Sequence, residues 1–184
     1  MRVVSLLASA TEMIAELGCL HQLVGRSHEC DFPEAVRALP VVSRVQINID
    51  TSSAEIDARA KAYWTPKLVE YAGGINLFGE VGVHSSWLAW EDMLAADPDV
   101  IILTPCGFTL ERTLEDVPLL ETRQRWSSLR AVRNRRVFAV DGNQYFNRSG
   151  PRLVESAEIL ASLLFAKDMA DGIDHTSWQN IADK

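Results

Sequence analysis

Residues 87–103 read WLAWEDMLAADPDVIIL, and this stretch decides the fold class. The first half carries apolar residues at helical spacing, with Glu91 and Asp92 on the polar side, so it predicts a helix from Trp87 to Ala96 capped by Ser85 or Ser86. Asp97-Pro98-Asp99 is a turn signal. Val100–Leu103 is short, continuous and β-branched, the pattern of a strand buried on both faces. A helix leading through a tight turn into a fully apolar strand is the repeating unit of parallel α/β sheets.

The same alternation extends in both directions. Val3–Leu7 predicts a strand, and the next segment a helix capped by Ser9 or Thr11 and ended by Gly18. On that helix Met13, Ile14 and Leu17 form the apolar face, with Glu12 and Glu16 opposite. Leu23–Gly25 predicts a second strand running into the polar loop Arg26–Pro33. Ser52 or Ser53 caps a helix from Ala54 to about Tyr63, and Pro66–Tyr71 opens another. Ile75–Phe78 predicts a strand. Downstream, Leu110–Leu120 is mostly helical, Trp126–Val132 a short helix or turn, Arg136–Val140 the last strand and Pro151–Phe165 the closing helix. The expected class is α/β, a mainly parallel sheet flanked by helices. Residues 1–168 are expected to form one domain, and 169–184 a polar, loosely held tail. Thr11–Gly25 and Thr65–Gly79 have equal length and a similar helix-then-strand pattern. Either a duplication or the ordinary likeness of two such units explains this.

Composition narrows the function. The 184 residues are 47% hydrophobic and 23% charged, with a net charge of −7. This is the balance of a globular protein with a sizeable core. Its acidic surface repels phosphate backbones, so nucleic-acid binding is excluded as a leading reading. Cys19, Cys30 and Cys106 are odd in number and form no CxxC pair. They suit free thiols in a reducing compartment. Glu12 and Glu16 interrupt the N-terminal apolar stretch, which argues against a signal peptide. As written, the chain is expected in the cytoplasm, with the periplasm or cell surface the alternative if a leader is missing.

No dinucleotide fingerprint, phosphate loop, nucleophile elbow or HExxH motif occurs. The expected ligand surface is therefore the loops after the strands, where parallel sheets bind. These are Ser9–Thr11, Ser27–Asp31, Thr104–Phe108 and Asp141–Arg148. In the first long loop, His28 and Cys30 could join His84 or Cys106 on a metal, but His-x-Cys is not a closed-site spacing. A rigid loop is the simpler reading, and no metal is assigned. Cys106 has no base beside it in sequence, so a packed thiol is preferred to a nucleophile. Tyr63, Trp64, Trp87, Tyr145 and Phe146 stand at element junctions, where amphipathic rings line clefts or simply pack. Trp90 is read as core. Arg148, opening the last helix, suits an anionic or polar ligand group; the alternative is a salt bridge that positions the loop.

Five segments taken together resemble a known family. They are RVVSLLASATEMIAELG, LVGRSHECDFP, LVEYAGGINLFGE, SWLAWEDMLAADPDVIILTPCGFTLERTL and VFAVDGNQYFNRSGPRLVESAEIL. They are similar, in the same order, to the cobalamin-binding subgroup of the ABC-transporter substrate-binding proteins that carry cobalamin and iron chelates. The resemblance spans about residues 1–57 and 62–165; a long central segment of the family is missing between them. It implies one lobe of the two-lobed periplasmic-binding-protein architecture and a non-catalytic role. A corrinoid would be the ligand, with no catalytic cofactor. It further implies ligand contacts at Ser9, Ala10, Glu29, Trp64, Ser85, Phe108, Tyr145, Phe146 and Arg148. Glu55 and Glu91 would dock an ABC permease. A homodimer could rebuild the missing half of a cleft. The alternative is a shortened relative that has lost its ligand and serves as an interaction or structural protein. An enzyme using Cys106 or His28 ranks third.

Overall fold

The computed structural model describes residues 2–43, 65–79, 88–148, 150–165 and 176–183. The chain divides into two compact units. Unit one comprises residues 1–51 and 148–153; unit two comprises 52–147 and 154–184. The sequence reading places residues 1–168 in one domain with one sheet. Among the described residues the strands pair as β1–β2 in unit one and β3–β4–β5 in unit two.

Unit one is built on β1 (Val3–Ser5), α1 (Ala8–Glu16) and β2 (Leu23–Arg26). The strands run parallel, pairing Val3 with Leu23 and Ser5 with Arg26. Pro40–Val42 lies along the far edge of β2: the Arg26 amide donates to the Pro40 carbonyl at 2.9 Å and the Val42 amide to the Arg26 carbonyl at 2.8 Å.

The phase of α1 differs from the expected one. Ala8, Thr11 and Glu12 are buried, at helical i, i+3, i+4 spacing. Met13 and Leu17, expected inside, are exposed, Leu17 at 77%. Glu12, expected in solvent, is 2% exposed. Periodicity failed here because an acidic residue occupies a core position, where an arginine from residue 152 meets it. Thr11 is not a cap: its hydroxyl donates to Ser5 Oγ at 2.7 Å inside the turn, and the helix starts at Ala8.

Unit two holds β3 (Ile101–Leu103), β4 (Val137–Val140) and β5 (Trp178–Asn180) in that order. β3 and β4 are parallel; β4 and β5 are antiparallel. The α/β class and the mainly parallel pairing agree with the sequence reading. All four β4 residues are buried, as expected of a central strand covered on both faces. The helices are α2 (Thr65–Tyr71), α3 (Trp90–Ala96), α4 (Leu110–Glu121), α5 (Arg130–Arg133) and α6 (Leu153–Phe165), whose first residue counts with unit one. Ile101, Val117, Leu120, Trp126, Leu129 and Val137 form the core, with Trp90 and Met93 packed against it. Trp90 and Trp126 stack with ring centroids 6.3 Å apart.

The DPD turn works as its composition implies. Asp97 closes α3 in the left-handed region at φ 41°, and its carboxylate accepts the Arg130 amide at 2.7 Å. The Arg130 guanidinium reaches Asp99 at 2.8 Å.

Three further expectations are corrected. Ile75–Phe78 is not a strand, so the likeness of Thr65–Gly79 to Thr11–Gly25 stops at the helix. α3 begins at Trp90, not Trp87. Part of the segment read as a loose tail is structural: Trp178–Asn180 pairs with β4, Trp178 meets Phe138 edge-on at 5.7 Å, and Ile181 joins the core. Three residues with one aromatic offer too little pattern to signal a strand. The predicted helix 54–63 and the Ser85 or Ser86 cap lie outside the described residues. No described helix is long and apolar enough to cross a membrane.

Candidate ligand-binding loops

The expected ligand contacts fall into two groups, one in each unit. In unit one, Ser9 and Ala10 lie half-buried in the first turn of α1, just past the end of β1. Glu29 is exposed in the loop after β2, with its amide donating to Ser27 Oγ at 3.0 Å. Arg148 belongs to the short segment 148–153 that completes this unit. Its guanidinium donates to Asp31 Oδ1 at 2.7 Å and lies 3.7 Å from Glu12 Oε1. Gly150 passes so close to α1 that a Cβ there would stand 3.0 Å from Glu12 Oε2 and 3.5 Å from Ser9 Cα. The structure thus gathers Ser9, Arg148 and the Glu29–Asp31 loop at one end of the parallel pair.

The residues that organise this end are ones the sequence reading missed. Glu12 receives Arg152 through two bonds, 2.6 Å to Oε1 and 3.2 Å to Oε2. Both side chains are nearly fully buried. Arg152 also lies over the Phe32 ring, 4.5 Å from its centroid. Two acids and two arginines therefore balance in one cluster: Glu12, Asp31, Arg148 and Arg152. A buried charge is tolerated only when paired in this way. The Arg148/Arg152 spacing in NRSGPR was the available signal, and the salt-bridge alternative weighed for Arg148 is what the geometry shows.

The His28 and Cys30 pair does not converge. His28 is exposed and its Nδ1 lies 2.9 Å from Ser43 Oγ. Cys30 is fully buried and accepts the Thr11 hydroxyl at 3.0 Å. Among the described residues no group of three His, Cys, Asp or Glu side chains could hold a metal ion; His84 lies outside them.

In unit two, the loops after β3 and β4 are stitched together. The Asn143 amide donates to the Phe108 carbonyl at 2.9 Å, and Asn147 Nδ2 donates to the Thr104 carbonyl at 3.1 Å and the Gly142 carbonyl at 2.8 Å. Asp141 Oδ1 accepts the amides of Asn143 and Gln144, the closing bonds of an Asx turn. Gly142 is required: a Cβ would come within 2.1 Å of the Pro105 carbonyl oxygen.

Phe108 is half-buried, one side of its ring covered by the Arg112 guanidinium at 4.6 Å. Tyr145 and Phe146 are buried instead of open. Phe146 is 1% exposed, sits at φ 63°, and donates its amide to Ser156 Oγ at 3.1 Å. In this conformation Phe146 acts as packing and offers no face to a ligand. Cys106 is exposed beside Gly107, which adopts φ 77°. Glu91 is exposed in the first turn of α3. Trp64, Ser85 and Glu55, together with Tyr63 and Trp87, lie outside the described residues.

Residues 58–143 match the periplasmic binding protein family. Solved structures share the fold. A periplasmic heme-binding protein from Roseiflexus sp. RS-1 aligns with TM-score 0.60 and 18% identity over 90% of this chain and 98% of that one. The periplasmic vitamin B12-binding protein of Vibrio cholerae aligns with TM-score 0.58 and 16% identity over 89% and 96%. An ABC-transporter substrate-binding protein from Listeria monocytogenes EGD-e gives TM-score 0.66 and 15% identity over 90% and 99%. No curated protein sequence matches. This chain is thus similar to the periplasmic binding proteins over residues 58–143, and similar in fold to these solved structures. That family and these neighbours are non-catalytic solute-binding proteins, for which no catalytic cofactor is expected.

Proposed function

We propose that this chain is a non-catalytic binding protein for cobalamin or a related corrinoid, of the kind that serves ABC importers. The fold supports the general class; one feature of the loops favours the particular ligand. Among the described residues Arg112, Arg148 and Arg152 are each matched by a carboxylate, at 2.8 Å to Asp116, 2.7 Å to Asp31 and 2.6 Å to Glu12, and Arg26 is turned onto the Ser27 and Cys30 carbonyls at 3.2 and 2.9 Å. A heme presents carboxylates, which call for cations not already engaged by acids. A corrin ring is fringed with neutral carboxamides, which need mixed donors and acceptors and apolar contact instead. The net charge of −7 acts in the same direction, against an anionic ligand. Ser9, Ala10, Glu29, Phe108 and Arg148 are the proposed contacts, with Glu91 as a docking residue for a permease and a homodimer as the working assembly.

The test is a titration with cyanocobalamin and, separately, hemin, read by visible absorbance and calorimetry. Cyanocobalamin should shift the spectrum and release or absorb heat, and hemin should bind more weakly. Silence of both readouts at high-micromolar cyanocobalamin overturns the reading.

A second reading rests on the burial of Tyr145 and Phe146: a shortened relative that keeps the fold, has lost its ligand and acts through protein contacts. It requires light scattering to show a dimer whose titration with cyanocobalamin stays silent.

A further inference from the structure

Phe108 is the one proposed contact whose ring is held from behind by a charged ladder on the following helix. α4 begins immediately after it, with Thr109 as N-cap accepting the Arg112 amide at 3.3 Å. Residues 108, 112 and 116 therefore project from successive turns along one side. The Arg112 guanidinium covers the Phe108 ring at 4.6 Å, and Asp116 Oδ1 grips Arg112 at 2.8 Å. Asp116 is buried, and its second oxygen, Oδ2, has no hydrogen-bond partner among the described residues. A buried carboxylate in that state is tolerated because of the arginine beside it, so the pair is strongly directional.

The backbone of Phe108 is fixed as well. Its amide donates to the Pro105 carbonyl at 3.2 Å and its carbonyl accepts the Asn143 amide at 2.9 Å. An aromatic ring on a loop would otherwise lose side-chain freedom on meeting a ligand, at a cost to affinity. Here that freedom is removed before binding.

We propose that Arg112 and Asp116 are positioning residues that lock the Phe108 ring as a preformed apolar platform for a flat macrocycle. This rests on the corrinoid reading for its ligand, but not for its mechanics. Asp116 touches no ligand in this scheme; it acts by holding Arg112, and Arg112 by stacking on the ring.

The experiment uses the whole chain with ring-labelled phenylalanine, comparing wild type with Asp116→Asn, Arg112→Lys and Phe108→Ala. In the ligand-free protein, the Phe108 ring signals, assigned by their loss in Phe108→Ala, should broaden or average in Asp116→Asn and Arg112→Lys while far-UV circular dichroism is unchanged. With cyanocobalamin as probe, each positioning variant should weaken binding by roughly 3- to 30-fold, the range of a cation–π contact converted to affinity. Adding Asp116→Asn to Phe108→Ala should bring no further loss. Unchanged ring order in both positioning variants overturns the proposal, as does full affinity in Asp116→Asn when wild type binds. If wild type binds no cyanocobalamin, the corrinoid reading fails and the ring order alone decides. If Asp116→Asn does not fold, Arg112→Lys, at a partly exposed position, carries the test.

Discussion

The two units are held together by different physics. Unit two is organised by apolar area: among the described residues, a three-stranded sheet whose central strand is buried throughout, packed with Val117 and Leu120 of α4 and with Leu129, which caps α5. The described residues of unit one hold two short strands, one α-helix of nine residues and two short 3-10 helices. So small a sheet cannot bury enough apolar surface by itself. Its helix turns Met13 and Leu17 outward and sinks Thr11 and Glu12. Residue-specific bonds take over: Thr11 to Ser5 and Cys30, Glu12 to Arg152, Arg148 to Asp31. An apolar core tolerates replacement by apolar residues of similar volume, whereas a buried ionic cluster tolerates almost none, because removing one member strands the rest.

That contrast can be broken at Glu12. Glu12→Ala leaves Arg152 buried without its carboxylate and should cost about 3–5 kcal/mol in urea unfolding. A loss below about 1 kcal/mol would show that unit one does not depend on the cluster. In unit two the counterpart is Leu129→Ala, a cavity at a residue 1% exposed, expected to cost about 2–5 kcal/mol. Leu129→Met should recover most of that, while Glu12→Gln should recover less of its own loss, because only the first site asks for volume alone.

Gly142→Ala sharpens the comparison at the loops. The added methyl meets a carbonyl at 2.1 Å, so the β3 and β4 loops must separate. An overpacking cost of about 1–3 kcal/mol is expected in thermal unfolding, together with weaker cyanocobalamin binding. The smallest effect lies at the start of α4. Thr109→Ala removes an N-cap worth about 1 kcal/mol. It also removes one cause of the lowered Glu111 carboxyl pKa: the amide of Glu111 itself contributes most and the Thr109 hydroxyl next. The sign follows from the depression. A carboxyl held below its ordinary value favours the fold above that value and loses the contribution as pH falls through the folded one. NMR titration should show Glu111 moving upward in Thr109→Ala, with little change in overall stability from this exposed group.

Much of unit two was legible in the sequence. β3, β4, α4 and the closing helix fall within a few residues of their predicted bounds, because each has an unbroken apolar pattern and clear caps or turns. The DPD turn was legible for the same reason. β5 was not, since three residues gain their strand character only from pairing with β4. Ile75–Phe78 was read as a strand from apolar content alone and finds no partner strand among the described residues.

The candidate loops were legible as loops. Which residues in them are open was not: Phe108 is half-buried and available, while Phe146, two junctions along and chemically equivalent on paper, is sealed by a backbone turn at positive φ. The ionic cluster was invisible because its members, Glu12, Asp31, Arg148 and Arg152, lie up to 140 positions apart.

By itself the sequence determined the α/β class, the positions of the loops that follow the strands and the absence of familiar catalytic motifs, since all of these depend on local pattern and composition. Only the tertiary structure decided the inward face of α1, the pairing of the described strands and the acid that meets each of Arg112, Arg148 and Arg152. These depend on which distant side chains meet, and an acid is stable in a core position only when the fold delivers its cation there.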